Sequence, residues 1–355
     1  LSNKKILITA GGTGGHVFPA LSVANELKKN NTVIWVGTKH GIENQIVPKN
    51  GIKLFTINIS GVRNKGIIKL LLLPVTLSYA LLQALIIIIK HRPDVVVGFG
   101  GYASIPTCII AKCFNTPLLI HEQNSVPGMT NKFLAKFATK VMVAFPNVLV
   151  DDNTLLVGNP VRDEILNIQK PKFRYEGRSG KLNILVVGGS LGARVFNEIM
   201  PAVASKLNNV NSIIHQVGKS DVKAIMNNYK ANGFSNVSVV SFIDKMADVY
   251  SSTDIIICRS GALTVSEIEA SGVAAIFIPY PHAVDNHQTI NASHLVEAGG
   301  ALMLEQSNLT VEALSNMINS LDRIKCKKMA IMANSMAQRN SKQQIVELIR
   351  QIIGN

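Results

Sequence analysis

Short apolar runs punctuate the chain, and longer stretches of mixed polarity separate them. In the first half the runs are KILIT (5–9), TVIWVG (32–37), DVVVG (94–98), PLLIHE (117–122) and VMVAF (141–145). In the second half they are NILVVGG (183–189), SIIHQVG (212–218), VSVVSF (237–242), DIIIC (254–258) and AAIFIPY (274–280). The runs are short and mostly continuous rather than alternating. That pattern predicts strands covered on both faces, as in a parallel sheet with helical crossovers. The fold class expected is α/β, with ligands bound beyond the carboxyl ends of the strands.

The pattern also repeats. ILITAGGTGGHVF (6–18) returns as ILVVGGSLGARVF (184–196), and DVVVGFGGYASIP (94–106) is paralleled by DIIICRSGALTVS (254–266). Two matches in the same order predict two Rossmann-like domains of one build, facing across a cleft. The expected division is 1–160 and 161–340, with linker sequence near 157–166 and 169–181. A final helical pattern, 341–355, is expected to pack back on the first domain.

Four glycine-bearing loops follow strands, at 11–16, 98–104, 188–194 and 259–264. Glycine lets backbone amides approach a phosphate, and the next helix adds its positive end. The first loop, GGTGGH, is neither dinucleotide fingerprint nor P-loop. Val17 stands where the third glycine of the former belongs, and no Lys-Ser/Thr pair closes the latter. Four loops suit two phosphate-bearing ligands, one per domain.

Composition narrows the partners. Thirty-six Lys and Arg against 22 Asp and Glu give a net charge of +14, which calls for an anionic partner. Between residues 53 and 149 the only acids are Asp94 and Glu122. No zinc-finger or aromatic RNA-binding pattern accompanies the charge, so nucleic acid is not expected. The four cysteines lack metal or disulfide spacing, and no secretory leader is read at the start. His282, Asp285 and His287 are too irregularly spaced to predict a metal site, and no Asp-x-Asp is present. Residues 70–89 form an uncharged, mostly apolar stretch bracketed by Lys69 and Lys90. It reads as a membrane span, a helix buried all round, or a helix lying at a membrane surface.

The segments GGTGGHVFPALSVANEL, GFGGYASIP, HEQNSVPGMTNKFLAKFATKV, GNPVR, VVGGSLGAR and CRSGALTVSEI, in this order, closely resemble the MurG family of glycosyltransferases. The resemblance covers nearly the whole chain. It implies the two-domain GT-B fold and inverting transfer of N-acetylglucosamine from UDP-N-acetylglucosamine. The implied acceptor is the muramoyl 4-hydroxyl of lipid I, an undecaprenyl-linked substrate, and no cofactor or bound metal is implied. Carried over by motif, Ser190 lies near the donor diphosphate and Ile243 near the uracil. Ala262, Leu263, Thr264, Val265, Ser266 and Glu267 line ribose and phosphate, and Gln288 and Asn291 approach the sugar. Arg162 and Asn124 also belong to the site, while Thr13, Gly14 and Gly15 face the donor sugar and the acceptor phosphates. From the residues alone, Glu267 is equally an acid placed near a helix N-terminus. His287 and the NSVPG loop depart from the family pattern. The implied location is peripheral, on the cytoplasmic face of an anionic membrane, with other cell-wall synthesis proteins as partners; this favours the surface-lying reading of 70–89.

An inverting displacement needs a base for the acceptor hydroxyl. His16 is the first candidate and Glu122 the second. The alternatives are another two-domain glycosyltransferase, a hydrolysing UDP-N-acetylglucosamine 2-epimerase, a nicotinamide dehydrogenase, or a membrane-binding module without catalysis. The dehydrogenase needs the third glycine that Val17 replaces.

Overall fold

A computed structural model describes residues 3–59, 72–189 and 192–354. The chain divides into two compact units. Unit 1 comprises 1–161 with 338–355, and unit 2 comprises 162–337.

Unit 1 is built on seven parallel strands: β1 (Lys5–Thr9), β2 (Thr32–Thr38), β3 (Lys53–Ile57), β4 (Val95–Gly98), β5 (Leu118–Glu122), β6 (Lys140–Val143) and β7 (Thr154–Leu156), in the order β3-β2-β1-β4-β5-β6-β7. Unit 2 holds six: β8 (Leu182–Val187), β9 (Val210–Gln216), β10 (Val237–Val240), β11 (Ile255–Cys258), β12 (Ala274–Phe277) and β13 (Ala301–Met303), in the order β10-β9-β8-β11-β12-β13. Both sheets reverse direction of winding beside their first strand. The switch point lies between β1 and β4 in unit 1, and between β8 and β11 in unit 2. Ligand crevices of doubly wound sheets open there. The central strands are fully covered, as their unalternating sequences require: Ile6, Leu7 and Ile8 are inaccessible, and so are Ile255, Ile256 and Ile257. The runs of apolar residues did not reveal β3, β7 and β13. Each is an edge strand, and covered on fewer sides it carries less of the apolar signal.

The repeat has a structural cause at the strand starts. Asp94 accepts the Lys5 amide at 2.7 Å, and its own amide donates to the Lys5 carbonyl. Asp254 does the same for Asn183, at 2.9 Å each way. The acid before each fourth strand is thus a clamp on the first. In unit 2 the clamp is buried and also pairs with Arg178 and Arg323.

The final helix, Ser341–Ile352, belongs to unit 1. Its Ile345, Val346 and Ile349 join the cluster formed by Val17, Leu21, Trp35 and Phe99. The helix Leu73–His91 buries only Ala80, Ala84, Ile87 and Ile88, and packs on β3 and the helix Ser104–Cys113. It is therefore not a helix buried all round. Leu72, Val75, Tyr79, Leu82, Ile86 and Ile89 stand exposed at steps of three and four, which places them on one face. It is the one helix among the described residues long and apolar enough to cross a membrane. Residues 70 and 71 of the predicted stretch lie outside the described residues.

Candidate active site

In unit 2 the loops that follow β8 and β11 meet at the switch point. They border a cavity of about 720 Å³ lined by Gly188, Gly189, Gly192, Arg194, Arg259, Gly261, Thr264, Tyr280 and Gln288, among others. Gly192 has φ +76°, and any side chain there would strike the Val217 carbonyl; glycine is required for the loop to pass. Gly261 and Thr264 are the cap and first turn of the helix Ala262–Ser271, so its positive end faces the cavity, a setting for phosphate. Arg259 is fixed rather than mobile. It donates to the carbonyls of Ile278 and Pro279 and to Gln306, with its guanidinium 4.8 Å from the Phe196 ring centre and 5.5 Å from that of Tyr280.

Farther along that helix, Glu267 accepts from Arg162 at 3.1 Å and from the buried Tyr250 hydroxyl at 3.3 Å. Burial raises its pKa, and Arg162 and Tyr250 pull the other way. The carboxylate is thus held ready as an acceptor. Gln288 accepts the Tyr280 amide at 2.9 Å, and Asn291 is buried with its side chain on the Ser260 carbonyl. Ala262, Val265, Ser266 and Ile243 are buried, Val265 completely. The Val265 side chain is core, leaving its backbone for any ligand contact. Leu263 is half-buried. Ser190 lies outside the described residues.

In unit 1 the loops 11–16 and 98–104 meet at the β1/β4 switch point. A side chain at Gly101 would strike the Gly11 carbonyl, and one at Gly100 would lie 3.0 Å from the His16 ring. The glycines of the second loop therefore serve the close approach of the first. Close packing of two loops is thus a second reason for glycine there, beside the phosphate contact expected of it. Thr13 stands at the N-cap position of the helix Gly14–Leu27, so Gly14, Gly15 and His16 form its first turn. Thr13 Oγ1 lies 3.5 Å from His16 Nδ1. His16 is half-buried, and desolvation lowers its pKa; Glu122, a backbone hydrogen bond at Gly11 and Glu43 oppose that.

Glu122 sits beneath its own loop. Its carboxylate accepts from the Asn124 amide (2.9 Å), the Gly128 amide (3.0 Å), Asn131 Nδ2 (2.9 Å) and Asn124 Nδ2 (3.3 Å). Four donors fix the loop and occupy the acid. The motifs HEQN and GNPVR interlock: His121 Nε2 lies 2.9 Å from the Gly158 carbonyl, and Asn159 donates to the Gln123 carbonyl. Burial pushes the His121 pKa down to about 4. It is a neutral structural imidazole.

The model of the glycosyltransferase family 28 N-terminal domain matches residues 6–143, and that of the family's C-terminal domain matches 183–349. The chain belongs to glycosyltransferase family 28. A relative from Haemophilus influenzae, a UDP-N-acetylglucosamine–N-acetylmuramyl-(pentapeptide) pyrophosphoryl-undecaprenol N-acetylglucosamine transferase, is 46% identical over 352 residues, 99% of each chain. The crystal structure of Acinetobacter baumannii MurG aligns at a TM-score of 0.87 with 39% identity, covering 98% of this chain and 99% of that one. A UDP-N-acetylglucosamine 2-epimerase from Neisseria meningitidis aligns at 0.68 with 15% identity, covering 98% of this chain and 100% of that one. That likeness shows the fold alone.

Sequence reasoning missed three polar groups that back predicted site residues or loops of this family 28 chain. Tyr250 backs Glu267, Asn131 backs Glu122, and Glu43 lies under loop 11–16. None stands in a glycine loop, and each is brought to its partner by the fold. Among the described residues, no three of His, Cys, Asp and Glu are placed to hold a metal ion.

Proposed function

We propose that this family 28 enzyme transfers N-acetylglucosamine from UDP-N-acetylglucosamine to the muramoyl 4-hydroxyl of lipid I, with inversion, giving lipid II. The observation that carries this reading is the match to the Haemophilus influenzae transferase, which spans 99% of both chains and so both units. The donor binds in unit 2, with its diphosphate at the 188–194 loop and the end of the helix Ala262–Ser271. Glu267 accepts from the ribose hydroxyls, Ile243 meets the uracil, and Gln288 meets the sugar. Thr13, Gly14 and Gly15 serve the acceptor side.

In the reaction the acceptor oxygen attacks the anomeric carbon as the bond to the diphosphate breaks. UDP leaves with the electron pair, stabilised by amides and the cationic lining of its cavity. The hydroxyl proton goes to His16. His16 is favoured over Glu122 because four hydrogen bonds already occupy the Glu122 carboxylate. Neutral imidazole suits a base near neutral pH.

The exposed apolar face of the helix Leu73–His91 supports peripheral attachment to a membrane carrying the lipid acceptor. A span would have to leave β3 and the helix Ser104–Cys113, on which its inner face packs. Lys90 and the other basic residues of unit 1 suit anionic headgroups.

Incubation with UDP-N-acetylglucosamine tests the reading in two arms. Without acceptor, the sugar nucleotide should stay intact. With a short-chain lipid I analogue, UDP should appear one for one with product. Consumption of the sugar nucleotide without acceptor would point to an epimerase instead.

A further inference from the structure

Glu43 follows β2 at the start of the helix Glu43–Lys49, and nothing in the transfer reaction as described uses it. It is a carboxylate with no exposed surface. Among the described residues no lysine, arginine or histidine pairs with it within 4 Å. Its partners are three neutral donors. The Gly12 amide lies 3.1 Å from one oxygen, and the Thr38 amide and hydroxyl each lie 2.8 Å from the other. Space for it is made by glycine: a Cβ on Gly11 would come within 2.7 Å of the carboxylate, one on Gly37 within 2.6 Å of the side chain, and one on Gly41 would overlap it. An isolated buried carboxylate is costly unless its hydrogen bonds are made or a positive charge arises nearby.

The residue on which a positive charge arises is His16. Gly12 is bound to Glu43, and the backbone of Gly11 beside it favours the protonated His16 ring. Against the imidazolium stand burial and the positive end of its own helix. In its favour stand two acids, Glu122 from the end of β5 and Glu43 from beyond β2. Thr13, 3.5 Å from the ring, and Gly100, packed against it, are uncharged.

We infer that Glu43 is a positioning residue for the proton transfer: a fixed, buried carboxylate that shapes the 11–16 loop through the Gly12 amide and stabilises the imidazolium formed at His16. This rests on the reading of His16 as the base. Glu122 is the larger charge acting on the ring, but its carboxylate holds the 122–131 segment and not the 11–16 loop. Glu43 ties charge and loop shape together.

The test is Glu43→Gln in the full-length enzyme, read by NMR titration of His16 and by the pH profile of kcat/KM. The amide keeps the volume, removes the charge and sets its NH2 against a backbone donor, at Gly12 or at Thr38. His16 should titrate at lower pH, the acid limb should move down with it, and turnover should fall roughly three- to tenfold, a pKa unit being tenfold in equilibrium. Glu43→Asp carries the test if that variant fails to fold. It keeps the charge and shortens the reach, so turnover should fall while the His16 titration stays near wild type. An unmoved titration in Glu43→Gln, or an equal shift in Glu43→Asp, overturns the inference alone. A shifted titration with an unmoved acid limb removes His16 as the base, and the inference falls with that reading.

Discussion

The loop after β1 ends in His16 and is held at Gly12 by the Glu43 carboxylate; the matching loop after β8 ends in Arg194 and is held at the Gly189 carbonyl by the neutral amide of Gln216, at 3.4 Å. The position matching Glu43 in the repeat is Asp221, which caps the helix Val222–Ala231 instead. The same strand, turn and helix thus carry a titratable ring over buried charge in unit 1, and a permanent cation beside the cavity in unit 2. The clamps differ in the opposite sense. Asp94 is exposed, while Asp254 is buried with two arginines. A duplicated frame leaves its loop ends free to diverge, because the frame depends on strands and clamps.

The loop ends give the largest expected contrast. His16→Ala should lower kcat about 10²–10⁴-fold with donor KM little changed. Arg194→Ala should act mainly on donor KM, by roughly tenfold, the scale of one hydrogen bond to a charged group. Equal kcat losses in both would erase the proposed division. The clamps come next. Asp254→Asn leaves Arg178 and Arg323 without their acid and should cost about 3–5 kcal/mol in denaturant unfolding. Asp94→Asn should cost less than about 1 kcal/mol.

Each unit also buries one neutral histidine on its sheet. Burial pushes His121 in β5 and His215 in β9 down to about 4. Between about pH 6.5 and 4 the unfolded chain holds a proton at each that the folded chain refuses. Stability therefore rises with pH across that window and is lost as pH falls through it, by up to about 3 kcal/mol per histidine. Unfolding free energies from pH 7 to 4.5 check this, and His215→Gln should flatten the slope. The smallest effect concerns the apolar face present in unit 1. Leu82→Asp should weaken binding to anionic vesicles roughly tenfold, from lost apolar burial and added repulsion, and leave turnover on a short-chain soluble acceptor unchanged. Retained vesicle binding would remove this face as the attachment surface.

The sequence was legible where structure is dense and local. The apolar runs marked the inner strands, and the repeated acid and glycines marked equivalent places in both halves. It was poorly legible at the edges, where β3, β7 and β13 carry little apolar signal, and wherever one segment makes room for another. Gly100 and Gly101 stand in a glycine loop whose close packing on His16 and Gly11 the sequence does not reveal. Glu43, in GIENQ, looks like a surface acid. Only the convergence of Gly11, Gly37 and Gly41 buries it.

The transfer is decided by incubating the enzyme and a short-chain lipid I analogue with UDP-N-acetylglucosamine labelled in the sugar. Label should enter the lipid product and be released by a β-N-acetylglucosaminidase, as expected for an inverted link. A folded enzyme that leaves all label on the nucleotide, or joins it through an α link, is not the inverting transferase described.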